Sequence, residues 1–180
     1  AVAAGVDSMV TCATMESNFE LTGQISLKFD SIIPCFGIHP WFVKSASENY
    51  QQNLENYIVK YNAGIGETGI DFVDKATDRD LQVKIFKTHL ILAKELEIPI
   101  NIHVRKAWDT FIHIIKKVGR LKAGGLIHSY SGSADMIPLF EKFGYFISFS
   151  GSVTNPSAKK VVAALRKVSK ERVVLETDTP

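Results

Sequence analysis

The sequence predicts an α/β fold, a TIM-type (β/α) barrel of parallel strands, on three observations. Short, nearly continuous apolar runs alternate with longer segments of helical spacing from one end of the chain to the other. That is the pattern of strands covered on both faces and joined by right-handed helical crossovers. Roughly seven such units share 180 residues, which suits a barrel better than an open doubly wound sheet. An open sheet also normally carries a Gly-rich phosphate loop after an early strand, and none is present.

The runs Met9–Thr14, Ile32–Ile38, Ala63–Ile70, Pro99–Val104, Gly124–Ile127, Tyr145–Phe149 and Val173–Leu175 read as the strands. The helices lie between them. Ser45-Ala46-Ser47-Glu48 has the form of a capping box. Asp78 or Thr77 can cap a long helix marked by Val83, Phe86, Leu90 and Ala93, and Pro99 ends that helix and opens the next strand. Ser133 can cap a short helix beginning near Ala134, and Asn155-Pro156 places a cap residue before Pro at a first helical position. Val161, Ala164, Leu165 and Val168 follow i, i+3, i+4, i+7, with Lys159, Lys160, Arg166 and Lys167 on the other side. With no repeat beyond this alternation and no linker, residues 1–180 are expected to form a single (β/α)-barrel domain.

Composition excludes several classes. At 46% apolar and 22% charged residues the chain is not a disordered segment. A net charge of +2 is too small to indicate a nucleic-acid partner, so any such partner must be read from a local site. Cys12 and Cys35 sit in apolar runs and read as small core hydrophobes in a reducing compartment; a disulfide would need the two runs to be neighbouring strands. No CxxC spacing suggests zinc. No apolar run approaches the ~20 residues of a membrane span, and no signal peptide opens the chain. A cytoplasmic, monomeric protein without membrane contact is the expectation.

The informative polar residues stand where the apolar runs end, and parallel barrels build their sites from the C-terminal ends of strands. His39 follows Cys-Phe-Gly-Ile, Glu67 lies in Gly-Ile-Gly-Glu-Thr-Gly-Ile-Asp, His103 follows Ile-Asn-Ile, His128 follows Gly-Leu-Ile, and Asp178 follows Leu-Glu-Thr. Of the five histidines, His89 and His113 are mid-helix; they are expected to face solvent or the outer core and receive no role. Singly, each strand-end residue has a plain structural reading: His39 as a hydrogen-bonded structural histidine, Glu67 paired with Arg105, Asp178 as a helix cap before Pro180. Jointly, one rim of carboxylates and half-buried imidazoles would repel or lack partners, and a divalent cation resolves both problems. Imidazoles with carboxylates suit Zn, Mn or Fe and hydrolysis; Mg is less natural but usable in a mixed site.

Arg105, two residues past His103, falls on the same barrel face, where its fork suits a phosphate or carboxylate; a salt bridge to Glu67 or Asp71 is the alternative. Trp41 reads equally as a stacking platform for a base or sugar and as packing. The pairs Lys116–Lys117 and Lys159–Lys160 read as solvated helix faces.

Five blocks together are similar to the signatures of the TatD family of metal-dependent deoxyribonucleases: Phe36-Gly37-Ile38-His39-Pro40-Trp41, Gly64-Ile65-Gly66-Glu67-Thr68-Gly69-Ile70-Asp71-Phe72, Ile102-His103-Val104-Arg105, His128-Ser129-Tyr130-Ser131-Gly132 and Leu175-Glu176-Thr177-Asp178-Thr179-Pro180. Gln82, Phe86 and His89-Leu90 match as well. The blocks come in the family's order and cover essentially the whole chain. The resemblance implies an amidohydrolase-like barrel that cleaves DNA phosphodiester bonds by metal-activated water, with two divalent ions (Mg, Mn or Zn). By that likeness Glu67 bridges the ions, His103 and His128 hold one, and Asp178 holds the other and orients the attacking water. Arg105 and His39 would contact the scissile phosphate, with Trp41 at the substrate rim.

The sequence departs from the family at both ends. The family opens with a strand ending in His-x-His, which shares a metal with Asp178, and closes with a further helix; neither is matched here. Ser129-Tyr130 stands where Cys-Phe is common, and Thr179 where Ser is. The expectation is a barrel incomplete at its first strand and last helix, with exposed edges near Met9 and Val173, and inactive as these residues alone. It is either a piece of a longer enzyme, favoured by the Ala1 start and the stop at Pro180, or a shortened protein with an open barrel. The alternatives in function are a metallohydrolase of small phosphodiesters, esters or amides, and a non-catalytic binding protein.

Overall fold

In the computed structural model, residues 2–73 and 78–178 are described. Thr77, one of the two cap candidates, and Thr179 and Pro180 of the last block lie outside the described residues. Seven strands form one sheet: β1 (Met9–Cys12), β2 (Ile32–Phe36), β3 (Gly64–Asp71), β4 (Ile100–Arg105), β5 (Gly125–Ile127), β6 (Tyr145–Phe149) and β7 (Val173–Leu175). Each coincides with a predicted apolar run, trimmed by a residue or more in most cases.

The sheet order is β1-β2-β3-β4-β5-β6-β7 and every neighbouring pair is parallel. This strictly sequential order separates a barrel from a doubly wound sheet. Right-handed crossovers that always step the same way place all helices on one face, and the twisted sheet curls with its other face inward. The connecting helices are α1 (Phe19–Lys28), α2 (Tyr50–Tyr61), α3 (Arg79–Glu95), α4 (Trp108–Val118), α5 (Ile137–Lys142) and α6 (Lys159–Lys167). None of the described helices is long and apolar enough to cross a membrane.

The core lies between sheet and helices and is rich in aromatic contacts. Phe36 of β2 meets Phe19 of α1 at 5.3 Å and Tyr57 of α2 at 5.5 Å between ring centroids. Phe111 of α4 joins Phe86, Trp108, Phe140 and Tyr145. The expectation of burial on both faces fails at the two outer strands. Val10 of β1 is 54% exposed and Leu175 of β7 is 81% exposed, because each of these strands has one neighbour and they do not pair with each other.

The caps divide. Asp78 caps α3 as predicted, its side chain accepting from the Leu81 N–H at 2.9 Å. The Ser45–Glu48 capping box does not form. α2 starts at Tyr50 with Asn49 at its cap position, while Ser45 donates to the Phe42 carbonyl and Ser47 is held by Glu16. Asn155 also caps no helix: its carboxamide oxygen accepts from Ser157 in a local turn, and α6 begins only at Lys159. Ser133 stands at the predicted cap position, but its side chain makes no capping bond. At Ser45, Ser47 and Asn155 the side chain bonds another partner in place of the helix terminus.

Cys12 and Cys35 are directly opposite in neighbouring strands, and both are free thiols. Asn101 donates to the Cys12 sulfur at 3.1 Å.

Candidate metal centre

The geometry starts with an irregularity in β3. Ile65 pairs with Ile100 but Thr68 pairs with Ile102, so β3 carries one more residue than β4 across this stretch. Such a bulge re-aims a side chain and is common beside functional sites. Here the extra length falls at Gly66–Glu67, and the Glu67 N–H bonds to the Ala13 carbonyl just beyond the end of β1 at 3.1 Å. The approach is close: a Cβ on Gly37 would lie 2.9 Å from the Glu67 carbonyl oxygen.

Glu67 Oε1 is the centre of the cluster. It lies 2.7 Å from His128 Nε2, 3.1 Å from His103 Nδ1 and 3.3 Å from His39 Nε2. His103 Nδ1 and His128 Nε2 are 3.2 Å apart. Burial alone would raise the Glu67 pKa, but hydrogen bonds from His103, His128 and His39 outweigh it and hold the carboxyl far below the usual range. The structure therefore brings together Glu67, His103, His128 and His39, which are far apart in sequence.

Each imidazole is oriented from behind. Asp71, at the end of β3, accepts from His103 Nε2 at 3.3 Å, from the Trp41 indole at 2.8 Å and from the Val73 N–H at 2.9 Å. Burial would raise the Asp71 pKa, yet the bonds from His103, Val73 and Trp41 bring it down to about 2. Burial likewise opposes a charge on His103, but Asp71 and Glu67 raise its pKa to about 9. His103 turns Nε2 to Asp71 and Nδ1 to the cluster, an arrangement in which a carboxylate behind the ring fixes its orientation and raises its basicity. At His39, Nδ1 accepts from the Trp41 backbone N–H at 3.2 Å. The proton of the neutral ring then sits on Nε2, facing Glu67. Burial, only partly offset by Glu67, lowers the His39 pKa and favours that neutral form.

On the far side, His128 Nδ1 lies 3.7 Å from Asp178 Oδ1 and 3.8 Å from Glu176 Oε2. Ser148, fully buried, donates to Glu176 and accepts from the Ser129 N–H at 3.2 Å. The other Glu176 oxygen, Oε1, is buried without a hydrogen-bond partner among the described residues.

Among the described residues, two groups have the spacing to hold a cation, with ligand atoms within 4.8 Å of one another: His39, Glu67 and His103, and His128, Glu176 and Asp178. The donor chemistry fits a divalent ion. A buried carboxylate ringed by imidazoles and a second one with an orphaned oxygen are both relieved by positive charge. His39 is the exception within its group, since its Nε2 carries a proton and acts as a donor.

The remaining sequence candidates sit at the rim. Trp41 is 57% exposed, and its indole is tied to Asp71, so its ring is neither free nor simply packed. Arg105 ends β4 opposite Asp71 and is exposed. Among the described residues it makes no ion pair with Glu67 or Asp71, so the salt-bridge alternative is not what is found. The two lysine pairs are exposed on their helices, as expected, and so is His113.

His89 takes the outer-core position of its two expected placements, between α3 and the sheet. It is 0% exposed, accepts from the Ile38 N–H at 3.2 Å and donates through Nδ1 to the Ile85 carbonyl at 2.8 Å. It faces the sheet because α3 turns that side inward, with Phe86 and Leu90 beside it. Sequence reasoning also passed over Asp71, Glu176 and Ser148 as site residues. Asp71 and Glu176 each stand an even number of residues from a named candidate, Glu67 and Asp178, and period-two alternation could have found them; nothing local marks Ser148.

A curled parallel sheet with imidazoles and carboxylates converging at its C-terminal strand ends belongs to the metal-dependent hydrolase class of (β/α) barrels. The chain matches the family described as TatD related DNase across residues 1–180, and it belongs to that family. It is 32% identical over 158 residues to an uncharacterized metal-dependent hydrolase, YabD, of Bacillus subtilis, covering 85% of this chain and 60% of the relative. It is 29% identical to the human deoxyribonuclease TATDN3, covering 98% of this chain and 68% of that protein. The crystal structure of the TatD homologue YjjV from Escherichia coli superposes with a TM-score of 0.91 at 26% identity, covering 98% of this chain and 69% of that one. The chain thus spans 60–69% of the length of these relatives.

Proposed function

We propose that the protein hydrolyses phosphodiester bonds in DNA with the help of divalent cations. The observation that carries this reading is Glu67 Oε1 within 3.3 Å of three imidazole nitrogens at the strand ends. Glu67, His103 and His128, whose ligand atoms lie within 3.2 Å of one another, would hold one ion, and Asp178, grouped with His128 and Glu176, would hold a second. Bound Mg, Mn or Zn supplies a water of lowered pKa and neutralises charge on the phosphate.

The protein's own groups do the rest. Asp71 keeps the His103 Nδ1 turned inward. His39, with its proton on Nε2, donates to a non-bridging phosphate oxygen. Arg105, exposed at the rim, offers its fork to the same phosphate. Trp41 presents an exposed ring to a base or sugar while Asp71 fixes its indole nitrogen. The Asp178 side chain, 47% exposed at the mouth of the site, accepts the proton of the attacking water.

The test is degradation of linear single- and double-stranded DNA with Mn²⁺ or Mg²⁺, by this chain and by a chain extended to the relatives' length. EDTA should stop the reaction, and Glu67→Gln or His128→Ala should abolish it. Activity that survives EDTA or Glu67→Gln overturns the proposal. Turnover of RNA, or of small phosphodiesters, esters or amides without DNA cleavage at low salt, would keep the metal chemistry and replace the substrate.

A further inference from the structure

We propose that Gln82 and His89, two fully buried side chains of α3, are positioning residues that set the aim of His39, by clamping the backbone before and after it, and of His103, by tying down the backbone of Asp71 behind it. They lie seven residues apart, two turns along one face of the helix. Each is hydrogen-bonded to a strand end rather than to another side chain. His89 Nε2 accepts from the Ile38 N–H at 3.2 Å, immediately before His39. Gln82 Nε2 donates to the Pro40 carbonyl at 3.3 Å, immediately after His39. The other end of the same carboxamide, Oε1, accepts from the Asp71 N–H at 3.0 Å.

Two side chains thus grip the backbone of the residues on either side of His39, at the Ile38 N–H and the Pro40 carbonyl, and one of them also ties that segment to Asp71. The consequences run to the site through bonds already described. The 38–40 segment fixes where His39 Nε2 meets Glu67, and it carries Trp41, whose indole must reach Asp71. Asp71 in turn orients His103. His89 is suited to this work because its Nδ1–H is engaged by the Ile85 carbonyl, which leaves Nε2 as a fixed acceptor. The stacked ring of Tyr50, 6.1 Å away and tilted by 14°, closes one face of it.

The proposal rests on the metal-centre reading only where metal affinity is the readout. In the metal-free protein, the ring nitrogen signals of His39 and His103 are followed by long-range ¹H–¹⁵N correlation, with His113 as an exposed control. H89M should shift the His39 signals, Q82M should shift those of both His39 and His103, and neither should move His113. H89Q, whose carboxamide can accept from Ile38, should keep the wild-type pattern. Calorimetric titration with Mn²⁺ should show roughly 10–100-fold weaker binding in Q82M, where Asp71 loses its hold behind His103, and near-normal binding in H89Q. Thermal melts identify folded variants, and if H89M does not fold, Q82M carries the test. Unchanged ring signals in folded H89M and Q82M overturn the proposal, as does an H89Q whose ring signals shift as far as those of H89M. Failure of the wild-type protein to bind Mn²⁺ overturns the metal reading alone, and the ring signals still decide the positioning role.

Discussion

Glu67 keeps its charge in a place where burial would otherwise neutralise it, because three imidazoles converge on one of its oxygens. The residues behind those imidazoles decide how well they converge. Asp71→Asn removes the charge that orients His103, and Mn²⁺ affinity measured by calorimetry should fall by roughly 10–100-fold while the fold persists. His89 makes a different prediction. Burial lowers its pKa to about 4, its bond to the Ile85 carbonyl only partly opposing this, against an ordinary value of 6.5. Above pH 6.5 the folded and unfolded chains both hold it neutral, and it costs nothing. As pH falls below 6.5 the unfolded chain takes up a proton that the folded chain refuses, so stability declines until about pH 4 and then levels off. The loss attributable to His89 is roughly 3 kcal/mol. Urea unfolding at pH 7 and pH 4 should show a smaller acid loss in His89→Gln than in the wild type; equal losses would sink the assignment.

At the scale of single elements, what could be read in advance was whatever depends on neighbours in sequence. The strands were legible because a run such as Pro99–Val104 is apolar over a strand's length and bounded by a helix-stopping proline. Their ends were legible for the same reason, so His39, Glu67, His103 and His128 stood out. Caps were harder, since a serine or asparagine has several possible partners, and Ser47 chose Glu16, distant in sequence. Asp78 kept to the helix terminus, bonding the Leu81 N–H. Asp78→Ala should destabilise the protein by about 1 kcal/mol in urea unfolding. The β3–β4 pairing is more exacting. Gly69 has φ +152°, and an added Cβ would sit 1.9 Å from the His103 carbonyl oxygen. Gly69→Ala should therefore separate the strands that carry Glu67 and His103; metal binding should be lost in whatever soluble protein is recovered, and native-like binding would contradict this account.

For the molecule as a whole, the sequential parallel order places all helices outside and leaves the strand ends on one rim. The aromatic cluster around Phe111 is the principal brace of the α3–α5 side. Truncating this fully buried ring in Phe111→Ala should cost about 3–5 kcal/mol, read as a lowered urea midpoint with an unchanged slope. The sequence by itself determined the strands, their parallel arrangement and the rim on which chemistry gathers, since period, apolar runs and strand ends are local properties of the chain. Long-range packing settled which imidazole nitrogen faces Glu67, that Asp71 stands behind His103 and Ser148 behind Glu176, and that His89 is turned to the core rather than to solvent. Those outcomes depend on contacts such as that between Ile38 and His89, 51 residues apart, and hydrogen-bond direction at that range is set by packing rather than by sequence pattern.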